Sequence, residues 1–571
     1  MLTNGLNGSH WGLGTGYLSM RNAKLIGLSV ALLLSSASTL AHAASVKDSY
    51  LEVDPREMPS DGPTGSVGAG PTVIYGGGGG GGSVIKSFEG ISQYDTRAFG
   101  RGFIPPDTMG AVGKTQYMET VNGAVAVFDK ATGARTLLQS DVAFWAGAGK
   151  VGTNGDPRLM YNAPADKWIA LTFGASLGDI QIAVSTTGNA LGPWKSTQFT
   201  GFTGLNAIAD FPTLAMDNNA VYIGTNNFGG PSTSFKGTTM NVIPIGDLFA
   251  ALGPSAAAVK QFVTPYTGGP GDDLSRGFAI QGVNSSALGT TGKIITASLT
   301  VNALQRYDVL NAGTAGATLT ASSGPLGAGY ASNSLARQPY TTGTGTSRVI
   351  DPSDDRIGSS AYEVNGKIYS VHTITEAGSD RTSVRVDVMN STTNAIIDEF
   401  DIGAPGYDYY QGSIAVNSLG QVVVGFDRSG TSVVDGKITV MARTFNTSGG
   451  GHLYQSGSDL VLRVSDTDSY HNGSLFGAPA TGRQRWGDYS AVSLDPTDSS
   501  KFWVIGEFAR EFNLPAFGHP GGTGGSRFGT FIAEIGLSPV GVPEPSTWAM
   551  TILGLGLVGS AMRRRRAIAQ A

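Results

Sequence analysis

Four aspartates carry the chemistry that can be read most directly from the chain. Asp107, Asp156, Asp210 and Asp488 each stand six or seven positions ahead of the turn that ends a short apolar strand, so all four enter their strands from the same end. Arg158, Arg356 and Arg485 fall near the same level. Carboxylates and guanidiniums gathered in this way suit a cation held by oxygen ligands, with Ca²⁺ the ion that fits, or the hydroxyls and carboxylates of a glycan. The same register also suits turn caps, in which each Asp accepts N–H bonds from its own entering turn.

Catalytic patterns are thinner. A glycosidase needs two opposed carboxylates, or a Tyr nucleophile with an acid partner; Asp488, Tyr489 and Glu507 could be recruited, but no spacing rule selects them. The six histidines show no His-x-x-x-His pairing, and lone His372 and His471 read as surface or packing residues. No Gly-x-Ser-x-Gly elbow occurs. The acidic stretches at Asp351–Asp355 and Asp466–Asp468 match no EF-hand loop and read as turns, so no cofactor is expected other than Ca²⁺.

The elements that would position the aspartates repeat along the chain. A short apolar strand, an Asn/Asp/Gly turn and a longer hydrophobic strand recur around Gly113, Asn162, Asp217, Asn284, Asn365, Asn417 and Asp495. These turns average about 64 residues apart, which leaves room for two further strands per unit. Four antiparallel strands per unit, with no convincing amphipathic helix, predict an all-β chain. They further predict a β-propeller of seven four-stranded blades, with six as the alternative count and a sandwich or solenoid as the rival. The last unit shows only three strands, ending with 528–535. Val84 to Phe88 is therefore expected to pair there and close the ring. On this reading the four aspartates line one mouth of a central channel, and the insertions at Asn311–Ser347 and Ser456–Arg485 are long enough to build a binding face.

Pro105-Pro106-Asp107-Thr108-Met109-Gly110, Gly155-Asp156-Pro157, Asp210-Phe211-Pro212 and Arg485-Trp486-Gly487-Asp488-Tyr489-Ser490 resemble the markers of a poorly characterised secreted bacterial family with a sialidase-like propeller. The stretch from Ser185 to Trp194 loosely resembles the Ser-x-x-x-x-Gly-x-Trp phrase of sugar-acting propellers, while Ser-x-Asp-x-Gly-x-Thr-Trp turns are absent. The resemblance implies fold more than activity.

Both ends read as addresses. Arg21 and Lys24 precede an apolar core from Leu25 to Leu34, and Ala41-His42-Ala43 offers a small-x-small cleavage site, so residues 1–43 are expected to be a signal peptide with Met20 the favoured start. Residues 44–82 end in seven glycines, Gly76 to Gly82, and read as a flexible leader. Residues 83–538 form the expected propeller. In the tail, 539–571, Pro543-Glu544-Pro545 cannot join a helix, an apolar run spans Ala549 to Met562, and Arg563-Arg564-Arg565-Arg566 follows. This arrangement resembles the PEP-CTERM sorting signal of Gram-negative exopolysaccharide producers. The resemblance implies an exosortase-type processing enzyme as partner and transient residence in the inner membrane through a short transmembrane helix. A permanent C-terminal anchor is the alternative.

Composition fits an exported globular body. There are no cysteines, hence no disulfides or thiolate metal sites. The formal charge of −5, with no basic run inside the body, argues against nucleic acid as a partner. The expected product is a surface or matrix protein that binds exopolysaccharide or a matrix partner without catalysis. A secreted glycan-cleaving enzyme and a purely structural matrix protein are the alternatives.

Overall fold

Strand-forming runs account for nearly all regular structure. The computed structural model describes residues 81–538 apart from 101–102, 151, 154, 203–206, 230–233, 266–276, 299–301, 322, 332–334, 340–347, 377, 449–450, 469, 471–483 and 513–525. The expected signal peptide, most of the leader, the sorting tail with Pro543–Pro545 and Arg563–Arg566, and His471 lie outside the described residues.

Each of the seven turns joins the two strands expected of it. Asx side chains explain why Asn and Asp recur there: Asp217 Oδ1 accepts from the amides of Asn219 and Ala220 at 2.7 and 2.9 Å, and Asn417 Oδ1 from those of Leu419 and Gln421 at 3.0 and 2.9 Å. The longer strand of each pair is covered on both faces, so it reads as a continuous apolar run rather than an alternating one. Apolar clusters fill the spaces between sheets. Ile169, Leu171, Ile180 and Ile182 meet Leu214, Val221 and Ile223 in one; Val423 and Val440 meet Val504, Ala533 and Ile535 in another. Short helices at Gln93–Ala98, Asp141–Gly147 and Ile245–Leu248, which no apolar periodicity announced, fill connections.

The chain is all-β, but the expected propeller of seven four-stranded blades is overturned. The sheets hold from three to nine strands, and none is closed into a barrel or curled as a propeller blade requires. Met109–Val112 through Arg135–Ser140 and Arg158–Asn162 through Trp194–Thr200 are simple four-stranded meanders. The third sheet, within 207–265, and the one within 407–464 have five strands each. The units expected around Asn284 and Asn365 are not separate. Phe278–Ser285 and Ala361–Val364 pair in parallel, Val283 with Ala361 and Ser285 with Glu363, and fuse their units into one nine-stranded sheet. Asn284 Nδ2 donating to the Ala361 carbonyl at 3.1 Å reinforces that seam. Ala336–Arg337 and Gln484–Arg485, from the two insertions, join Arg348–Asp351 in a three-stranded sheet belonging to no unit.

The last sheet has the strand order expected at its end. Ser83–Ser92 lies antiparallel to Ser526–Gly536, with Val84 opposite Ile535 and Phe88 opposite Ile532, and makes the fourth strand of that sheet. Phe88 and Ile91 are buried. A chain shortened to begin at Ser83 is therefore expected to melt with the full-length protein. One shortened past Ser92 bares the edge of Ser526–Gly536 and is expected to melt lower and aggregate. Calorimetry with light scattering checks both.

The expected transmembrane helix receives no support. Among the described residues no helix is long and apolar enough to cross a membrane, and Ala549–Met562 lies outside them.

Candidate functional site

At or near the inner strands of five of the seven expected units a backbone feature repeats. Asp107, Asp156, Phe211, Ala279 and Gln411 all have φ between 50° and 55°, a left-handed conformation uncommon outside glycine. For three of them the preceding sheet, or the residue itself, supplies a clamp. Asn122 Oδ1 accepts from the Asp156 amide at 2.8 Å, Asn226 Oδ1 from the Ala279 amide at 2.7 Å, and Asp107 Oδ1 from the Asp488 amide at 2.9 Å. Each bond ties one sheet to another and satisfies a buried N–H that would otherwise go unpaired.

These clamps gather the expected site residues into one cluster. Asn122 also donates Nδ2 to Asp107 Oδ2 at 2.7 Å and to the Pro105 carbonyl at 2.9 Å, so it bridges Asp107 and Asp156. Tyr489 donates its hydroxyl to Asp156 Oδ2 at 2.8 Å. The Arg158 guanidinium lies 3.4 Å from the Tyr489 ring centroid, donating Nε to the Pro212 carbonyl at 2.6 Å and Nη1 to the Gly358 carbonyl at 2.8 Å. Arg356 stacks on Phe211 at 4.2 Å and pairs with Asp354. Arg485, in the three-stranded sheet, holds both Asp488 oxygens at 3.0 Å. Asp210 lies beside this group, next in the chain to Phe211, whose ring packs on Arg356 and Tyr489.

The cluster is buried rather than open. Asp107, Asp156, Asp210 and Asp488 are between 0% and 4% exposed. Burial, then the charges of Asp107, Asp210 and Asp488, push Asp156 well above the ordinary carboxylate range. Burial and the Asp488 charge raise Asp107 in the same way. Behind them, Glu507 accepts from Thr108 Oγ1 at 2.8 Å and Asp427 from Trp486 Nε1 at 2.7 Å; burial raises both. The adjoining cavity, bounded by Arg356, His372, Gln411, Asp488 and Ser490, has a volume of ≈ 20 Å³. That is room for about one water molecule and not for a sugar ring.

This geometry separates the chemistries considered above. A Tyr–carboxylate pair exists in Tyr489 and Asp156, but both are sealed from any saccharide. Among the described residues no three His, Asp or Glu side chains are placed to hold a metal ion. In the acidic stretch at Asp351–Asp355, Asp351 caps the Ser353 amide and Asp354 takes Arg356. The stretch from Ser185 to Trp194 is a hairpin lock, in which Ser185 Oγ donates to the Thr187 carbonyl and Trp168 Nε1 to that of Gly188. His372 is a packing residue, its Nδ1 2.9 Å from the Asp355 carbonyl oxygen and its ring edge-on to Tyr330. Asn122 was not singled out from sequence, Phe211 appeared only inside the Asp210-Phe211-Pro212 motif, and Tyr489 only as a recruitable nucleophile and motif residue. The Asn122-Gly123 turn and the residues flanking Asp210 and Asp488 were the signal available.

Comparison with known proteins finds the PEP-CTERM protein-sorting motif at residues 541–566. No curated protein matches the chain. Among solved structures the chain is similar to Hsv2 of Kluyveromyces marxianus, at 8% identity over 71% of this chain and 93% of that one, with a TM-score of 0.31. A protein of unknown function from Dyadobacter fermentans aligns at 10% identity over 75% and 94%, TM-score 0.33. An α-L-arabinofuranosidase of Fusarium graminearum aligns at 10% identity over 67% and 93%, TM-score 0.34. These are weak likenesses to unrelated β-rich folds, one of them a glycosidase.

Proposed function

We propose that this chain is an exported surface or matrix protein whose β-sheet body, residues 83–538, binds extracellular polysaccharide or a matrix partner without catalysis. The observation that carries the reading is the sorting motif at 541–566, which supports processing by an exosortase-type enzyme. In this proposal residues 1–43 are removed on export, 44–82 spaces the body from its surroundings, and 539–571 addresses it. The buried acid–guanidinium cluster is not the place for glycan-cleaving chemistry, because carboxylates beside a water-sized cavity cannot flank a glycosidic bond. Asp107, Asp156, Arg158, Asp210, Arg356, Arg485 and Asp488 then act as a keystone between sheets, and recognition falls to the outer surface.

Two measurements test this. Mass spectrometry of protein released from a producing strain should find no peptide from Thr551 to Met562, and Glu544→Ala should restore that peptide; its recovery from released wild-type protein would reject processing. A glycan array probed with the full chain should show retention of at least one polysaccharide with no new reducing ends. Hydrolysis would replace the reading with an enzymatic one.

A further inference from the structure

Resting on that reading, we propose that the groove between the turns of the third sheet and those of the nine-stranded sheet is a binding site for a neutral, hydroxyl-rich saccharide. The groove has a volume of ≈ 400 Å³, within the range of small-ligand pockets. Its walls are the Asn218-Asn219 turn, the short helix Ile245–Leu248, Thr290, and the Asn311–Thr314 turn. The polar lining consists of amides and hydroxyls with the single carboxylate of Asp247, and no Lys or Arg lines it among the described residues. Such a surface can exchange many hydrogen bonds with sugar hydroxyls, both giving and accepting. It offers no cation to a phosphate, sulfate or uronate, and Asp247 repels them.

The walls are held before any ligand arrives. Ile245 donates its amide to the Asn219 carbonyl at 2.8 Å, and Ala312 to that of Thr290 at 3.0 Å, so the helix is fixed to one turn and the opposite turn to its neighbour. Asn218 Nδ2 donates to the carbonyls of Ser286 and Ala287 at 3.0 and 3.2 Å, which ties the Asn218-Asn219 turn to the turn that leaves Phe278–Ser285 in the nine-stranded sheet. The Thr314 hydroxyl donates to the Asn311 carbonyl at 2.9 Å and fixes the far turn. Asn311 sits at φ 53°, a conformation Asn tolerates. Little ordering remains to be done on binding, so weak individual contacts to hydroxyls can add up. Gly246 lies at the groove with open space where its Cβ would be, which keeps one side clear.

Isothermal titration of the full chain with maltohexaose, cellohexaose, mannohexaose and hexagalacturonate tests the assignment. At least one neutral hexasaccharide should bind. Gly246→Tyr, whose Cβ has open space around it and whose ring takes up room at the groove, should weaken it at least about tenfold with the melting temperature kept. Asp247→Ala should weaken it about three- to tenfold through loss of a charged acceptor. Equal binding by wild type and both variants would overturn the groove while leaving surface recognition of glycans standing. Binding of none of the four probes would overturn both, and a preference for hexagalacturonate would overturn the neutral specificity.

Discussion

Arg158→Ala should lower the unfolding free energy by about 3–5 kcal/mol, read as a shift in the midpoint of a denaturant titration. The side chain is 2% exposed and touches several sheets at once: its guanidinium stacks on Tyr489, its Nε and Nη1 satisfy the carbonyls of Pro212 and Gly358, and Met109 lies at its edge. Removing it strands two buried carbonyl acceptors and takes away the cation packed on the Tyr489 ring. Arg158→Lys should recover little, because an ammonium cannot stack on Tyr489 and donate in both fixed directions. A loss below about 1 kcal/mol would mean that the sheets stand without this pillar.

The second large effect is on pH. Burial pushes Glu119 up to about 7, and burial also raises Asp107, Asp156, Asp355, Asp427 and Glu507. In the unfolded chain such carboxyls titrate near 4. Folding therefore takes up protons, and this contribution is full below about pH 4 and is lost as pH rises through about 7 and beyond. His372 acts in the same direction: despite burial, which lowers it, the Asp387 carboxylate raises it. A smaller set opposes them. Asp495 and Glu363, although burial raises each, are held below their ordinary values by Lys130 and Lys293, and their contribution is lost as pH falls through those lowered values. The melting temperature should accordingly peak in mildly acidic buffer and fall by several degrees between about pH 5 and about pH 8. Glu119→Gln should flatten that slope. A melting temperature that climbs steadily from pH 5 to 8 would contradict the protonated state of the buried acids.

Local chemistry was legible where it was set by neighbours in the chain. Asp217, Asn417 and Asp495 cap their own turns, so the residue that makes the hairpin is also the one that announces it. The convergence of Asp107, Asp156, Asp210 and Asp488 followed from register, because each stands nearly the same count before its turn. The seam between Val283–Ser285 and Ala361–Glu363 had no such signal: parallel partners nearly eighty positions apart share neither a turn nor a complementary pattern, so two apparent units became one sheet. Burial of the aspartates was equally hidden. Phe211 and Tyr489 pack ring to edge there, with centroids 4.8 Å apart, a contact between residues 278 positions apart that strand counting does not announce.

The pairing of Ser83 with Gly536 sets a timetable for the molecule. The strand that emerges first during synthesis cannot find its partner until more than four hundred further residues have followed, and the Thr530 hydroxyl waits equally long for the Ile91 carbonyl. Contacts this distant in sequence make folding slow, because the loop must close before any bond rewards it. A chain threaded unfolded through an export channel can tolerate that delay, whereas one nascent in a crowded compartment would leave Phe88 and Ile91 bare for the whole interval. Closure of the body therefore waits on residues that end only a few positions ahead of the sorting motif at 541–566.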